Sequence, residues 1–313
     1  MITLKQMAYF DALARNLHFG KAASEVHISQ PALSAQIAEL ETRLNCRLVE
    51  RSRAGVVLTE AGSRLLPAIR SVLEDVRTIE EQAQANQGTL TGRFRLGIIP
   101  TLAPYLLPTL APDLQQHYPQ LEFQVRESVT ETLTQQLHAG SLDAVIAAMP
   151  INEPWIAHWP LFGDRFHVVA SENDHDILAS PLNQHKAALD RLLLLEEGHC
   201  LRDQALELCE SRPEGNLVNY GATSLTTLLQ MVANGMGRTL LPEIAIPAET
   251  KNRTDIRIIS FSDPAPERQI ALFYRKGTQR AADFEALAAR VRAIGDDIFA
   301  SAHEILSDRS TSA

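Results

Sequence analysis

The run Phe19-Gly20-Lys21-Ala22-Ala23-Ser24-Glu25-Val26-His27-Ile28-Ser29-Gln30-Pro31-Ala32-Leu33-Ser34 sets two helix starts within sixteen residues. Its first half reads as a short helix whose paired alanines, Ala22 and Ala23, permit close helix packing. His27-Ile28-Ser29 is the turn. Ser29 offers an oxygen to the free amides of the next helix, and Pro31 falls in that helix's first turn, where a missing N–H costs nothing. The helix then carries Leu33, Ile37, Leu40 and Leu44 on one stripe and leaves Gln30, Ser34, Gln36 and Arg43 on other faces. Small polar side chains near the start of such a helix suit base edges in the major groove, which makes Gln30, Pro31, Ser34 and Gln36 candidate DNA contacts.

The flanks extend the pattern. Leu4, Met7, Ala8, Phe10 and Leu13 form a preceding helical stripe, and Leu48 to Leu58 reads as two short strands around a turn. Arg51 and Arg53 near that turn are placed to reach phosphates or the minor groove. Periodicity alone fits a plain three-helix bundle with a solvated face equally well. The strings decide it. Phe19-Gly20-Lys21-Ala22-Ala23, Ser29-Gln30-Pro31-Ala32-Leu33-Ser34, Ile37-Ala38-Glu39-Leu40-Glu41 and Leu58-Thr59-Glu60-Ala61-Gly62 resemble the DNA-binding domain of the LysR-type transcriptional regulators. That resemblance implies a winged helix-turn-helix head over residues 1–62 and a double-stranded DNA operator. Ala35 departs from it, standing where many relatives carry a basic residue.

Charge agrees in sign. Residues 1–62 hold seven Lys/Arg and six Asp/Glu, a net +1, so the remainder of this −9 chain carries −10. A weakly positive head on an acidic body excludes indiscriminate coating of nucleic acid and fits a small reading domain attached to something else. The 313 residues suffice for two domains. The N-terminus lacks a signal-peptide pattern, and no apolar run approaches the roughly 20 residues that span a bilayer, so a cytoplasmic protein without membrane contact is expected.

Beyond the head, Leu65, Ile69, Val72, Val76, Ile79 and Ala83 follow a heptad rhythm with charges between them. A homodimer seam is expected, hence two recognition helices and two-fold-related half-sites; the plainer alternative is an amphipathic helix lying on its own domain. Pro67 should bend or interrupt the helix near its start. Residues 63–92 thus read as a linker helix and hinge. After it, strands and helices alternate: Phe94 to Ile99, Pro104 to His117, Leu121 to Val125, Thr130 to Ala139, Ala144 to Ala148, Phe166 to Ala170, Ser224 to Asn234, Gln269 to Tyr274 and Ala281 to Ile298. The alternation predicts an α/β body with a mainly parallel sheet and helices on both faces. The family resemblance implies a two-subdomain, periplasmic-binding-protein-like regulatory domain over 93–313. Subdomain I would cover about 93–164 and 268–303, subdomain II about 165–267, with crossings near 162–166 and 265–269.

Two of the three cysteines lie in one segment, Gly198-His199-Cys200-Leu201-Arg202-Asp203-Gln204 and, nine residues after the first thiol, Cys209. In the cytosol such a pair points to catalysis or sensing before a permanent cross-link. A thiol starting a helix feels the positive end of the dipole; Arg202 or His199 nearby favours thiolate, and Asp203 opposes it. Thiolate attack on a peroxide gives sulfenic acid, which a second thiol condenses to a disulfide. Nine residues of helix hold the two alpha carbons roughly 13–14 Å apart. A disulfide needs about 7 Å or less, so oxidation would have to unwind the segment. Cys46, alone in the head, reads as a small buried hydrophobe.

The same segment, with Ile98-Ile99-Pro100-Thr101, Pro104-Tyr105-Leu106-Leu107-Pro108 and Ala222-Thr223-Ser224-Leu225, resembles the peroxide-sensing OxyR branch of the LysR family over nearly the whole chain. That resemblance implies Cys200 as the peroxidatic thiol, Cys209 as the resolving one, and Thr101, Thr130, His199, Asp203 and Arg268 lining the peroxide pocket. Taken singly, Thr101 and Thr130 also fit helix caps and Arg268 a surface ion pair. It further implies hydrogen peroxide as the signal, a dimer assembling to a homotetramer, RNA polymerase as a partner, and no cofactor or metal. Glu210-Ser211-Arg212-Pro213-Glu214 differs from relatives. The alternative is a LysR-type regulator of a small metabolite bound between the subdomains, with incidental cysteines. A thiol peroxidase is the remaining alternative; the helix-turn-helix strings and the lack of a Cys-x-x-Cys recycling motif weigh against an enzyme.

Overall fold

The computed structural model describes residues 1–52, 55–84, 88–174, 181–182, 191–208 and 217–311. They fall into two compact units, Met1–Gln87 and Gly88–Ala313.

In the first unit, α1 (Leu4–Asn16) opens on a reciprocal cap: the Thr3 hydroxyl accepts from the Gln6 amide, and the Gln6 side chain accepts from the Thr3 amide, both at 3.2 Å. In α2 (Phe19–Glu25) the cap is His18, whose Nδ1 accepts from the amides of Gly20 and Lys21. Ser29 caps α3 (Gln30–Leu44) by accepting from Ala32. Strands β1 (Val49–Ser52) and β2 (Gly55–Leu58) pair antiparallel. The Glu41 carboxylate accepts from the amides of Leu48 and Val49 and so ties the wing's base to α3.

Helix α4 (Glu60–Gln84) corrects the expectation at Pro67, for it runs unbroken through that residue. A proline in a helix interior removes one backbone bond and costs about 3 kcal/mol, but packing overrides propensity here. Ile69 is buried in the head's core with Leu65, Leu66 and Leu73 against it, and Arg70 Nε donates to Asp11 of α1 at 2.6 Å. The heptad stripe is therefore split. Its first positions serve the head, while Val72 (38%) and Ile79 (64%) are left exposed.

The second unit comprises β3 (Gly92–Ile98), α5 (Ala103–His117), β4 (Leu121–Glu127), α6 (Thr130–His138), β5 (Ala144–Ala148), β6 (Ile156–Ser171), β7 (Leu192–Leu195), α7 (Cys200–Leu208), β8 (Leu217–Ala222), α8 (Leu225–Ala233), β9 (Thr239–Pro242), α9 (Ile246–Thr250), β10 (Ile256–Ser260), β11 (Glu267–Arg275) and α10 (Ala281–Thr311). A sheet in the order β10-β6-β11-β5-β3-β4, with β9 also on β6, forms its frame, and β7-β8 is a separate pair. The mainly parallel expectation is corrected. Only β3-β4, β3-β5 and β7-β8 are parallel among the described pairings; β11-β5, β11-β6, β10-β6 and β6-β9 are antiparallel. The cause is β6. It pairs with β11 over Ile156 to Arg165 and continues against β9 and β10 from Phe166, so one strand joins both ends of the sheet. Pro160 sits in β6 where the ladder with β11 shifts register between Ile270 and Ala271, the kind of site where a strand tolerates proline.

The core threads Phe94, Leu96, Val145, Ile146, Leu272 and Phe273 from the sheet against Phe284, Leu287 and Val291 of α10. Helix α10 outruns its expected end at Ile298 because its tail is anchored: the Arg309 guanidinium donates to the carbonyls of Ile256, Thr250 and Arg253 at 2.7–3.0 Å. No helix among the described residues is long and apolar enough to cross a membrane.

His167, on β6, is 5% exposed; one ring nitrogen meets Ser260 Oγ at 3.1 Å. Burial, with the charges of Arg165 and His303, holds its pKa at about 4 instead of 6.5. The unfolded chain therefore takes up this proton first. The contribution is complete above pH 6.5, declines as pH falls, and is gone below about pH 4, a loss of about 3 kcal/mol. His167→Gln should flatten the stability profile in that window, checked by urea unfolding at both ends. Identical profiles for the two proteins would refute this.

Candidate functional site

In the head, the expected DNA contacts gather at the start of α3. Gln30 and Pro31 are exposed and Ser34 and Gln36 half-buried, while Leu33, Ile37 and Leu40 are buried on the helix's other side. The cap on Ser29 fixes this turn, and free amides at a helix N-terminus add attraction for phosphate. Arg51 lies in β1 with its backbone opposite Val56. Arg53 lies outside the described residues.

The thiol segment sits in the second unit. Gly198 takes φ +90°, a conformation open to glycine at little cost, and turns the chain into α7 so that Cys200 is its first residue. Cys200 is half-buried and free. His199 beside it is 7% exposed, with Nδ1 buried and without a hydrogen-bond partner. Burial lowers its proton affinity below the ordinary imidazole value, against the pull of Glu196 and Glu127. Thr130 is the first residue of α6, and its Oγ1 is likewise buried and unpartnered. Thr101 is 2% exposed at the turn after β3. Thr101, Thr130, His199 and Cys200 border one tightly closed gap, completed by Ile99, Pro100, Val129 and Gly198.

Arg268 anchors the floor. Its side chain and that of Asp164 are both fully buried, and their residues face each other across the β6–β11 ladder. Arg268 Nε and Nη2 donate to Asp164 Oδ2 at 2.9 and 2.8 Å, and Nη1 donates to Thr101 Oγ1 at 2.8 Å. The Ile244 amide donates to Asp164 Oδ1 at 3.1 Å. Burial raises the Asp164 pKa, and Arg268 and the backbone amides oppose that rise. Arg268 is thus a buried strut that aims the Thr101 hydroxyl, not a surface ion pair. Neither threonine is a side-chain cap for its helix.

Asp203 and Arg268 border a second opening, a cleft of about 1120 Å³ that Cys200 and Thr130 share. The five expected pocket residues are therefore distributed over two adjoining spaces with the thiol between them. Arg202 is turned elsewhere: it donates to the Leu195 carbonyl at 3.2 Å and approaches Glu197. Cys209 lies outside the described residues. Two site residues escaped the sequence reading. Asp164 is 104 positions from Arg268 and meets it only through strand register. Gln204 lies one turn beyond Cys200 on the same helix face, and its Oε1 is buried without a partner.

Comparison with known proteins gives the same two-part division. Residues 4–63 match the bacterial regulatory helix-turn-helix protein family, lysR type, and residues 87–295 match the LysR substrate binding domain. The DNA-binding transcriptional dual regulator OxyR of Escherichia coli K12 is 38% identical over 298 residues, covering 95% of this chain and 97% of that one. A full-length OxyR variant from Pseudomonas aeruginosa superposes with a TM-score of 0.78 at 34% identity, covering 93% and 95%. A hydrogen-peroxide-bound OxyR mutant from Corynebacterium glutamicum gives 0.65 at 36% identity, covering 97% and 98%. The chain belongs to the LysR family of DNA-binding transcriptional regulators, which are not enzymes, and within it to the OxyR branch.

Proposed function

We propose that this chain is a hydrogen-peroxide-responsive transcription regulator whose primary sensor is the Cys200 thiolate. The observation that carries the reading is the pair of buried, unpartnered polar atoms, Thr130 Oγ1 and His199 Nδ1, in the gap that Cys200 borders. Leaving such groups unpaired costs roughly 1–3 kcal/mol each, and a small molecule that both donates and accepts relieves the cost. Hydrogen peroxide is such a molecule. The thiolate Sγ attacks one peroxide oxygen, the O–O bond breaks, sulfur is oxidised to sulfenic acid, and the other oxygen leaves as hydroxide to be protonated to water. Thr101, oriented by Arg268, and Thr130 hold the peroxide, the His199 imidazole steadies the departing hydroxide, and Asp203 lines the pocket.

Cys209 then condenses with the sulfenic acid and releases water. Helix α7 keeps Cys200 and Leu208 roughly 12 Å apart, so bridging to Cys209 requires the helix to unwind. In this reading residues 1–62 bind a two-fold-related operator through Gln30, Pro31, Ser34, Gln36, Arg51 and Arg53. Residues 63–92 pair two chains through exposed Val72 and Ile79, and 93–313 sense. Dimers assemble to a homotetramer that engages RNA polymerase in the cytoplasm.

The test is mass mapping of all three thiols after an equimolar peroxide pulse. A Cys200–Cys209 disulfide should form while Cys46 stays reduced, and Cys200→Ser should abolish the response of a reporter gene. A responsive Cys200→Ser variant, or equal oxidation of every thiol, defeats the proposal.

A further inference from the structure

We infer that the cleft in front of Cys200 is a charge filter, set by Glu131, Glu207 and Glu267, which admits uncharged oxidants and turns anionic ones away. This rests on the reading of Cys200 as the reactive thiol and adds what selects its reactant.

The cleft itself does not select by size. A cleft of about 1120 Å³ holds molecules far larger than peroxide. Its charge is one-sided, however. Among the described residues five carboxylates line it (Glu131, Glu153, Asp203, Glu207 and Glu267), against a single cation, Arg268. That cation is spent internally, because Arg268 and Asp164 pair with both side chains fully buried. The hydrogen bonds made by the rim are to neutral donors: the Gln135 amide to Glu131, the Trp155 indole to Glu153 and the Gln269 amide to Glu267. Glu131, Glu153, Glu207 and Glu267 are exposed and form no ion pair among the described residues. Converging like charges on a concave surface focus their potential and change the local concentration of an ion tenfold or more, by about 10–10³.

The closed gap on the other side of Cys200 points to an uncharged ligand independently. His199, more than nine-tenths buried, presents an unpartnered Nδ1 beside Cys200, and burial disfavours its cationic form. Thr130 Oγ1 is a neutral group in the same gap. Neither offers a charge to an anion that has passed the rim. Hydrogen peroxide, neutral at physiological pH, meets no such barrier.

Two thiol reagents of opposite character test this without peroxide. In a Cys46→Ser/Cys209→Ser background Cys200 is the only cysteine. The thiolate attacks the reagent's disulfide, an Sγ–S bond forms, the reagent's S–S bond breaks, and an aromatic thiol leaves and is counted by absorbance. The dianion 5,5′-dithiobis(2-nitrobenzoate) should react about tenfold faster in about 300 mM salt than in about 10 mM, whereas neutral 4,4′-dithiodipyridine should change by less than about twofold. In Glu131→Gln/Glu207→Gln/Glu267→Gln protein the low-salt rate of the dianion should rise about tenfold and its salt dependence shrink. A dianion rate insensitive to both salt and substitution overturns the filter, as does an equal acceleration of the two reagents. Peroxide oxidation measured on the same proteins reports separately on the sensor: no oxidation of Cys200 defeats that reading, while the reagent ratio still decides the filter.

Discussion

Arg268→Met should destabilise the second unit by about 3–5 kcal/mol, the cost of removing one partner from a buried ion pair. Asp164 would remain fully buried with the Ile244 amide as its chief support. Arg268→Lys should recover little, since an ammonium cannot bridge Asp164 and Thr101 as the guanidinium fork does. The pH dependence identifies the cause. Without Arg268, the buried Asp164 carboxyl has a raised pKa in the folded state, so the folded chain binds the extra proton. The deficit should therefore narrow as pH is lowered and widen as pH rises through that pKa. A second replacement, Asp164→Leu, should restore most of the stability, because two apolar groups substitute for a buried pair at little cost. It should not restore rapid oxidation of Cys200, since Thr101 would still lack its donor. Urea unfolding of the three variants at two pH values, with oxidation rates, checks each step. A loss below about 1 kcal/mol for Arg268→Met would contradict the argument.

The second large effect is expected in the head. A methyl group at Gly62 would stand 2.1 Å from the carbonyl oxygen of Leu48, and neither atom belongs to a side chain that can rotate away. Gly62→Ala must therefore push the start of α4 off the wing's base, where Thr59 Oγ1 also donates to the Arg47 carbonyl and Thr59 N–H to the Leu48 carbonyl. A loss of about 3 kcal/mol or more would remove much of the stability of a head of this size and displace the wing from α3. Because Met1–Gln87 and Gly88–Ala313 are separate compact units, the effect should be selective. Operator binding should vanish in a mobility-shift assay while peroxide oxidation of Cys200 is unchanged. Retained operator binding would show that the backbone yields more easily than the contact suggests.

These two sites differ in how visible they are from sequence. The head was legible because its determinants are local: Ser29 caps the helix that begins next to it, Pro31 occupies the turn where it is harmless, and Leu58-Thr59-Glu60-Ala61-Gly62 is a single string. The pairing of His199 with Cys200 was legible for the same reason. Register was not. Nothing in the spacing of Asp164 and Arg268 marks them as partners, because their contact depends on how β6 lies against β11. Pro160 hid the first half of β6, since proline argues against a strand unless the facing ladder is irregular, and that irregularity lies over a hundred positions away. With β6 read as only Phe166 to Ala170, the alternation of elements implied a parallel sheet. Arg202 shows the limit of neighbourhood arguments: two positions from Cys200 in sequence, it faces the Leu195 carbonyl.

The undivided β6 has a mechanical consequence. A strand that leaves the Arg268–Asp164 strut and continues without a break into the β9 and β10 ladders ties the two parts of the sheet by a hydrogen-bonded ribbon in place of a loose joint. Turning one part of the sheet against the other would have to twist that hydrogen-bonded ribbon.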